Sequence, residues 1–244
     1  MIGVFTKCDG IVENLDVENL LYVINCEVEG VSQVGGIVGE FTQNGGVIRN
    51  CSIDENSHIS VINSKNDIYV GGICGIARGE IICGILNCNN YSTIEVKLLD
   101  DGNDKGVVIV SAGGICGSVL SGNIVKCNNY GNIIARNEDE TDKTKGFRLS
   151  GIAGRCSGTV TDCINYGTIN SLAAAKTSCM TGGIVGELFG QNNEVTRCEN
   201  YGDINGPCAG GICGYNVRVN VTDCVNYGKI NGIVTEEIFG HNSQ

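Results

Sequence analysis

The chain has 244 residues, with 37 glycines, 15 cysteines, one proline, no tryptophan and a formal net charge of −11. Such a charge argues against a nucleic-acid partner, because displacing counterions from phosphate needs lysine and arginine. No apolar run reaches the roughly 20 residues of a membrane-spanning helix, and the first residues, MIGVFTKCDG, lack the charged start and apolar middle of a signal peptide.

The segment GVFTKCDGIVENLDVEN, from Gly3, begins a divergent unit in which Leu15 holds the place later taken by cysteine. A glycine motif then recurs along the chain as GGIVG at Gly35, GGICG at Gly71 and Gly113, SGIAG at Ser150, GGIVG at Gly182 and GGICG at Gly210. A second motif answers it: CNNYSTIE from Cys88, CNNYGNII from Cys127, CINYGTIN from Cys163, CENYGDIN from Cys198 and CVNYGKIN from Cys224. The second residues of the glycine motifs lie at 36, 72, 114, 151, 183 and 211, so the unit length varies from 28 to 42 residues. At the end, EIFGHN overlays GICGYN from Gly211, the first strand of a further unit.

Periods of this length mark solenoids or propellers. Each unit offers three short apolar stretches, such as GICG, RVNVTDC and GKING after Gly210, divided by Asn, Gly and Asp turn residues. No helical periodicity runs for more than a turn, with SLAAAK from Ser171 the nearest approach. The expected fold is therefore all-β: a single-stranded parallel β-helix, or β-solenoid, of about seven coils with three short strands per coil. It should form one domain over residues 1–244, excised from a longer protein.

Stacking at the interstrand spacing of about 4.8 Å explains the recurring columns. Val12, Ile48, Ile85, Ile124, Val160, Val195 and Val221 should point inward, as should Leu15, Cys51, Cys88, Cys127, Cys163, Cys198 and Cys224 three residues on. A spacing of three breaks strand alternation, so a corner must lie between them. Asn90, Asn129, Asn165, Asn200 and Asn226 should form an amide ladder along the axis. The glycine after tyrosine would allow a left-handed turn, and Ile94, Ile133, Ile169, Ile204 and Ile230 would re-enter the core. Terminal coils of this kind have open edges, so end-to-end self-association is expected.

Units of Gly-Gly-Ile-Val-Gly followed by Val-x-x-Cys-x-Asn-x-Gly-x-Ile resemble the GLUG-type repeats of bacterial surface and secreted proteins, including regions before the catalytic domain of IgA-specific metallopeptidases. The resemblance runs from Gly3 to Ile238 and implies an extracellular or surface-displayed adhesive or spacer module. It carries over no catalytic residue: the peptidases' His-Glu-x-x-His is absent, and His58 and His241 are the only histidines.

Fifteen cysteines without a Cys-x-x-Cys motif, of which the column from Cys51 to Cys224 recurs one per coil, as do Cys74, Cys116 and Cys213 in the first strand, read as small buried hydrophobes with free thiols, with disulfides or metal as the alternatives. A serine at Cys163 should then bury a hydroxyl without a partner. The column Asn50, Asn87, Lys126, Asp162, Arg197, Asp223 alternates in sign over four coils and reads as a ladder that fixes register.

Two surfaces are candidates for binding. Insertions after the re-entering isoleucines put Asp100, Asp101, Asp104, Glu138, Asp139, Glu140 and Asp142 on one corner. Calcium would suit such carboxylates, but DDGND lacks the remaining EF-hand positions and solvated loops are the simpler reading, so no metal or other cofactor is expected. Tyr91, Tyr130, Tyr166, Tyr201 and Tyr227 form the second surface, a file of rings for sugar binding or for covering a corner. The expected function is non-catalytic adhesion, ligand binding or spacing, with a host or cell-wall glycan or protein as partner. The rival is a β-helix enzyme acting on polysaccharide, which needs carboxylates converging in a groove.

Overall fold

In the computed structural model, described over residues 1–26, 33–42, 46–63, 66–78, 84–99, 108–137, 145–172, 179–190, 193–217 and 220–243, short strands alternate with bends. No helix occurs among these residues. One coil reads Val38–Phe41, Val47–Arg49, Ser52–Ile53, His58–Asn63 and Ile68–Gly71, after which Cys74–Ala77 pairs with Val38–Phe41 and the path repeats. These five positions generate five parallel sheets, here sheets 1 to 5 in that order; among the described residues the first has eight strands and the others seven.

The expected count of three strands per coil is thus corrected to five. Both missed strands have a physical reason to be hidden. That of sheet 3, such as Val225–Asn226, is two residues long and shows no alternation. That of sheet 5, such as Cys208–Gly210, runs directly into the glycine motif.

Between sheets 2 and 3 stands a sharp corner. Asn14, Asn50, Asn87, Lys126, Asp162, Arg197 and Asp223 all have φ between 51° and 56°, the left-handed region. Asn and Asp tolerate it best among residues with a side chain. This corner turns the cysteine inward three residues after the preceding core residue. The left-handed conformation foreseen at the glycine after tyrosine is therefore found one residue before the cysteine instead. Gly167 has another role: a Cβ there would lie 2.0 Å from the Gly131 carbonyl oxygen of the preceding coil. From Gly131 onward the column is glycine because a Cβ on each would collide with the carbonyl of the preceding coil.

Two cores fill the coil rather than the single interior that one cysteine column suggests. One contains Ile37, Val38, Phe41, Ile48, Cys51, Ile53 and their stacked equivalents. The other contains Val34, Ile59, Val61, Ile68, Val70 and theirs. The asparagine ladder marks the waist between them. Asn90, Asn129, Asn165 and Asn200 are fully buried, and the facing glycine column leaves them room: a Cβ on Gly114 would lie 2.2 Å from Asn129 Oδ1, and one on Gly151 2.2 Å from Asn165. The two sequence motifs are halves of one contact.

Every amide of the ladder is bonded in two directions. Asn90 Nδ2 donates to Asn129 Oδ1 at 2.8 Å, Asn129 to Asn165 at 2.8 Å, Asn165 to Asn200 at 2.7 Å and Asn200 to Asn226 at 2.7 Å. The second hydrogen of Asn165 goes to the Gly167 carbonyl at 2.8 Å, while Gly167 N–H donates back to Asn165 Oδ1 at 3.2 Å. Asn90 stacks on Ile53, which has no amide. Its Oδ1 accepts instead from the Ser92 hydroxyl at 2.6 Å. Serine replaces glycine in CNNYSTIE where the ladder needs a cap.

The described cysteines are all free thiols, and the column from Cys51 to Cys198 is buried. They are more than hydrophobes. Cys51, Cys88, Cys127, Cys163, Cys198 and Cys224 each donate to the carbonyl two residues earlier, at 3.2 to 3.4 Å, bridging the left-handed corner. A hydroxyl at Cys163 would therefore meet the Thr161 carbonyl, which corrects the expectation that it would be unpartnered. Burial pushes the Cys163 and Cys213 thiols well above their ordinary value and Cys156 up to about 12.

Candidate binding surfaces

The tyrosine file begins just after the two-residue strands of sheet 3, where the chain turns toward sheet 4. Each tyrosine follows an inward asparagine, so alternation turns its ring outward, and the five rings are 37 to 60 % exposed. Successive ring centroids are 4.5, 4.9, 5.2 and 4.7 Å apart, with planes within 17° of parallel. This geometry limits what the file can hold. The inner rings cover one another's faces and show solvent their edges, so a sugar ring cannot lie flat on Tyr130, Tyr166 or Tyr201. The Glu199 carboxylate accepts the Tyr201 hydroxyl at 2.7 Å and pushes that phenol up to about 12.

Only the two end rings keep a face clear of the stack. Tyr91 stacks on Tyr130 on one side; on the other, the preceding coil carries the turn Asp54, Glu55, Asn56, Ser57 in place of a tyrosine. There an open hollow is lined by Glu18, Asn19, Ser52, Asp54, Glu55, Asn56 and Tyr91. Asp54 is fixed within it. Its Oδ1 accepts from the Ser57 hydroxyl and, at 3.0 Å, from the Asn19 N–H, and its Oδ2 accepts from Asn56 Nδ2 at 3.2 Å. The Ser57 hydroxyl, foremost among these donors, holds the carboxyl below its usual value. Of the hollow's residues, sequence reading singled out Tyr91 alone; the signal was available in the extra length of DENSH, from Asp54, against YST, from Tyr91.

The acidic residues of the insertions, Asp100, Asp101, Asp104, Glu138, Asp139, Glu140 and Asp142, lie outside the described residues. Their flanks are described: the chain leaves sheet 4 at Leu98, Asn137 and Leu172 and enters sheet 5 at Val108, Lys145 and Met180.

In the corner ladder the opposite charges of Asp162 and Arg197 form an ion pair. Arg197 Nε and Nη2 donate to Asp162 at 2.7 and 3.2 Å, and the Arg197 guanidinium lowers the Asp162 carboxyl. Farther along the same column, Asn87 donates to Asn50 at 2.8 Å and Asn50 to Asn14 at 3.1 Å, a second amide ladder on the outside.

A charged cluster that sequence reading missed joins sheets 5 and 1. Arg148 Nε at 3.1 Å and Arg155 Nε at 2.7 Å donate to the same Glu187 oxygen, and the Arg155 guanidinium lies 4.3 Å from the centre of the Phe189 ring. Arg155 and Glu187 each follow the glycine motif of successive units and are in register on sheet 1, so the repeat itself implied that pair, whereas Arg148 joins them from a different column on sheet 5.

Among the described residues no group of three or more His, Cys, Asp or Glu side chains is placed to hold a metal ion. No family model matches the chain, and no curated protein matches it. A solved structure described as IgA1 protease is similar in fold: at 16% identity the likeness covers 91% of this chain with a TM-score of 0.58. The matching part is 19% of that longer chain, so the likeness is between this β-solenoid and one region of the protease.

Proposed function

We propose that this chain is a non-catalytic β-solenoid module, built of GLUG-type repeats as a single domain, within a bacterial protein that is secreted or displayed at the cell surface. Its work is spacing and adhesion. The observation that carries this reading is the use of the repeated polar residues: the asparagines bond to asparagines one coil away, and Asp162 and Arg197 to each other. Such residues set the register of a stiff rod. The fold likeness to a region of IgA1 protease supports the same reading.

The partner is a host or cell-wall glycan or protein. It is held by the acidic insertions between sheets 4 and 5, around Asp100 and Glu138, or at the tyrosine file. Incubation with a panel of polysaccharides and with immobilised glycans and matrix proteins tests this. Retention on at least one surface, without release of new chain ends, is the expected result. Release of new chain ends from any polysaccharide would overturn it in favour of a β-helix enzyme.

A further inference from the structure

We propose that the hollow beside Tyr91 is a binding site for a cationic amino group, an ammonium or guanidinium laid against the open face of the Tyr91 ring and flanked by Glu18, Asp54 and Glu55. The inference does not depend on where the module is displayed. Three independent features converge on it.

The first is the aromatic face. A cation within about 6 Å of a ring centroid is attracted by the negative face of the π system. Within the file that face is covered by the next ring, but Tyr91 is the first tyrosine of the stack and turns its outer side to a coil without one. The second is charge. The described residues lining the hollow include three carboxylates and no lysine or arginine. The third is preorganisation. Asp54 is locked by bonds from Ser57, Asn19 and Asn56, so its charge stays at the floor without a side-chain entropy loss on binding. Ser52 belongs to the same wall and donates to Asp16 at 2.5 Å, adding a further carboxylate at its margin. Glu18 and Glu55 are exposed and able to close on a bound cation.

The same chemistry is offered by a basic side chain of a protein and by an amino sugar. Probes for the two are argininamide and glucosamine, with N-acetylglucosamine as the uncharged control and tetramethylammonium as the minimal cation. Binding to the full chain is followed by NMR shifts of the Tyr91 and Asn56 resonances. The expected result is saturable binding of all three cations, weakening as salt rises, with the tighter of argininamide and glucosamine revealing the natural source. Tyr91→Ala should weaken argininamide about two- to fivefold. Glu18→Gln combined with Glu55→Gln should weaken it at least as much, whereas Tyr227→Ala, at the far end of the file, should leave it unchanged. All three variants alter exposed side chains, and an unchanged β-sheet circular dichroism spectrum verifies that each is folded. N-acetylglucosamine binding as tightly as glucosamine, argininamide binding that ignores Tyr91→Ala, or no saturation with any cation would overturn the proposal.

Discussion

Cys163 and Asn165 stand two residues apart and do opposite jobs across one corner. The thiol of Cys163 closes the left-handed turn by bonding to the Thr161 carbonyl at 3.3 Å, a weak donor in a space a methyl group would also fill. Cys163→Ser keeps a donor for that carbonyl and should lose about 1 kcal/mol. Cys163→Val removes the donor and adds bulk, and should lose about 1 to 3 kcal/mol. Urea melts rank the two, and a valine variant more stable than the serine variant would mean that the thiol packs without bonding. Asn165→Leu has a larger effect. It strips Asn129 Nδ2 of its acceptor and Asn200 Oδ1 of a donor, two buried groups at about 1 to 3 kcal/mol each. Gly167→Ala should cost about 3 kcal/mol, because its Cβ would collide with backbone rather than with a movable side chain.

At the scale of the element, the corner between sheets 2 and 3 is where sequence and conformation disagree most. Lys126 and Arg197 adopt φ of 54° and 51°, which costs an ordinary L-residue about 1 to 2 kcal/mol. Arg197 is compensated by Asp162. Lys126→Asn should therefore stabilise the protein by about 0.5 to 1 kcal/mol, since asparagine accepts this conformation and would extend the outer ladder from Asn87. Thermal melts check it, and a lowered midpoint would contradict it. The tyrosine file offers a pH test. Tyr201, bonded to Glu199, should titrate near 12 rather than near the ordinary 10 of a free phenol, seen as a late step in ultraviolet absorbance and removed by Glu199→Gln. A raised folded value means that the stability from this bond is complete below pH 10 and is lost as pH climbs through 12. These elements also show what was legible beforehand. The inward valine and cysteine columns, the asparagine ladder and the outward tyrosines follow from alternation and recurrence, which each repeat states anew. The second core, the strands of sheets 3 and 5 and the approach of Arg148 to Glu187 do not. They depend on pairs such as Gly151 with Asn165 meeting across the coil, and one-dimensional spacing carries no information about which columns face each other. The hollow beside Tyr91 was hidden for a related reason: it forms where the repeat is interrupted, at DENSH, and a search for regularity passes over it.

For the whole molecule, the structure is a stack in which each coil binds only its neighbours, so stability should be distributed along the axis. What makes it one object is the line of buried amides at the waist, which ties five coils from Asn90 to Asn226 and holds two apolar cores side by side. A rod whose repeated polar groups bond to one another leaves its insertions and its exposed tyrosine file as the surfaces that meet a partner. Hydrogen exchange of the asparagine side-chain amides, followed by NMR, tests this most directly. The account predicts that the Nδ2 hydrogens of Asn129, Asn165 and Asn200 exchange only through large-scale opening, orders of magnitude more slowly than a solvated amide. Exchange of these three at the rate of exposed Asn56 would contradict it.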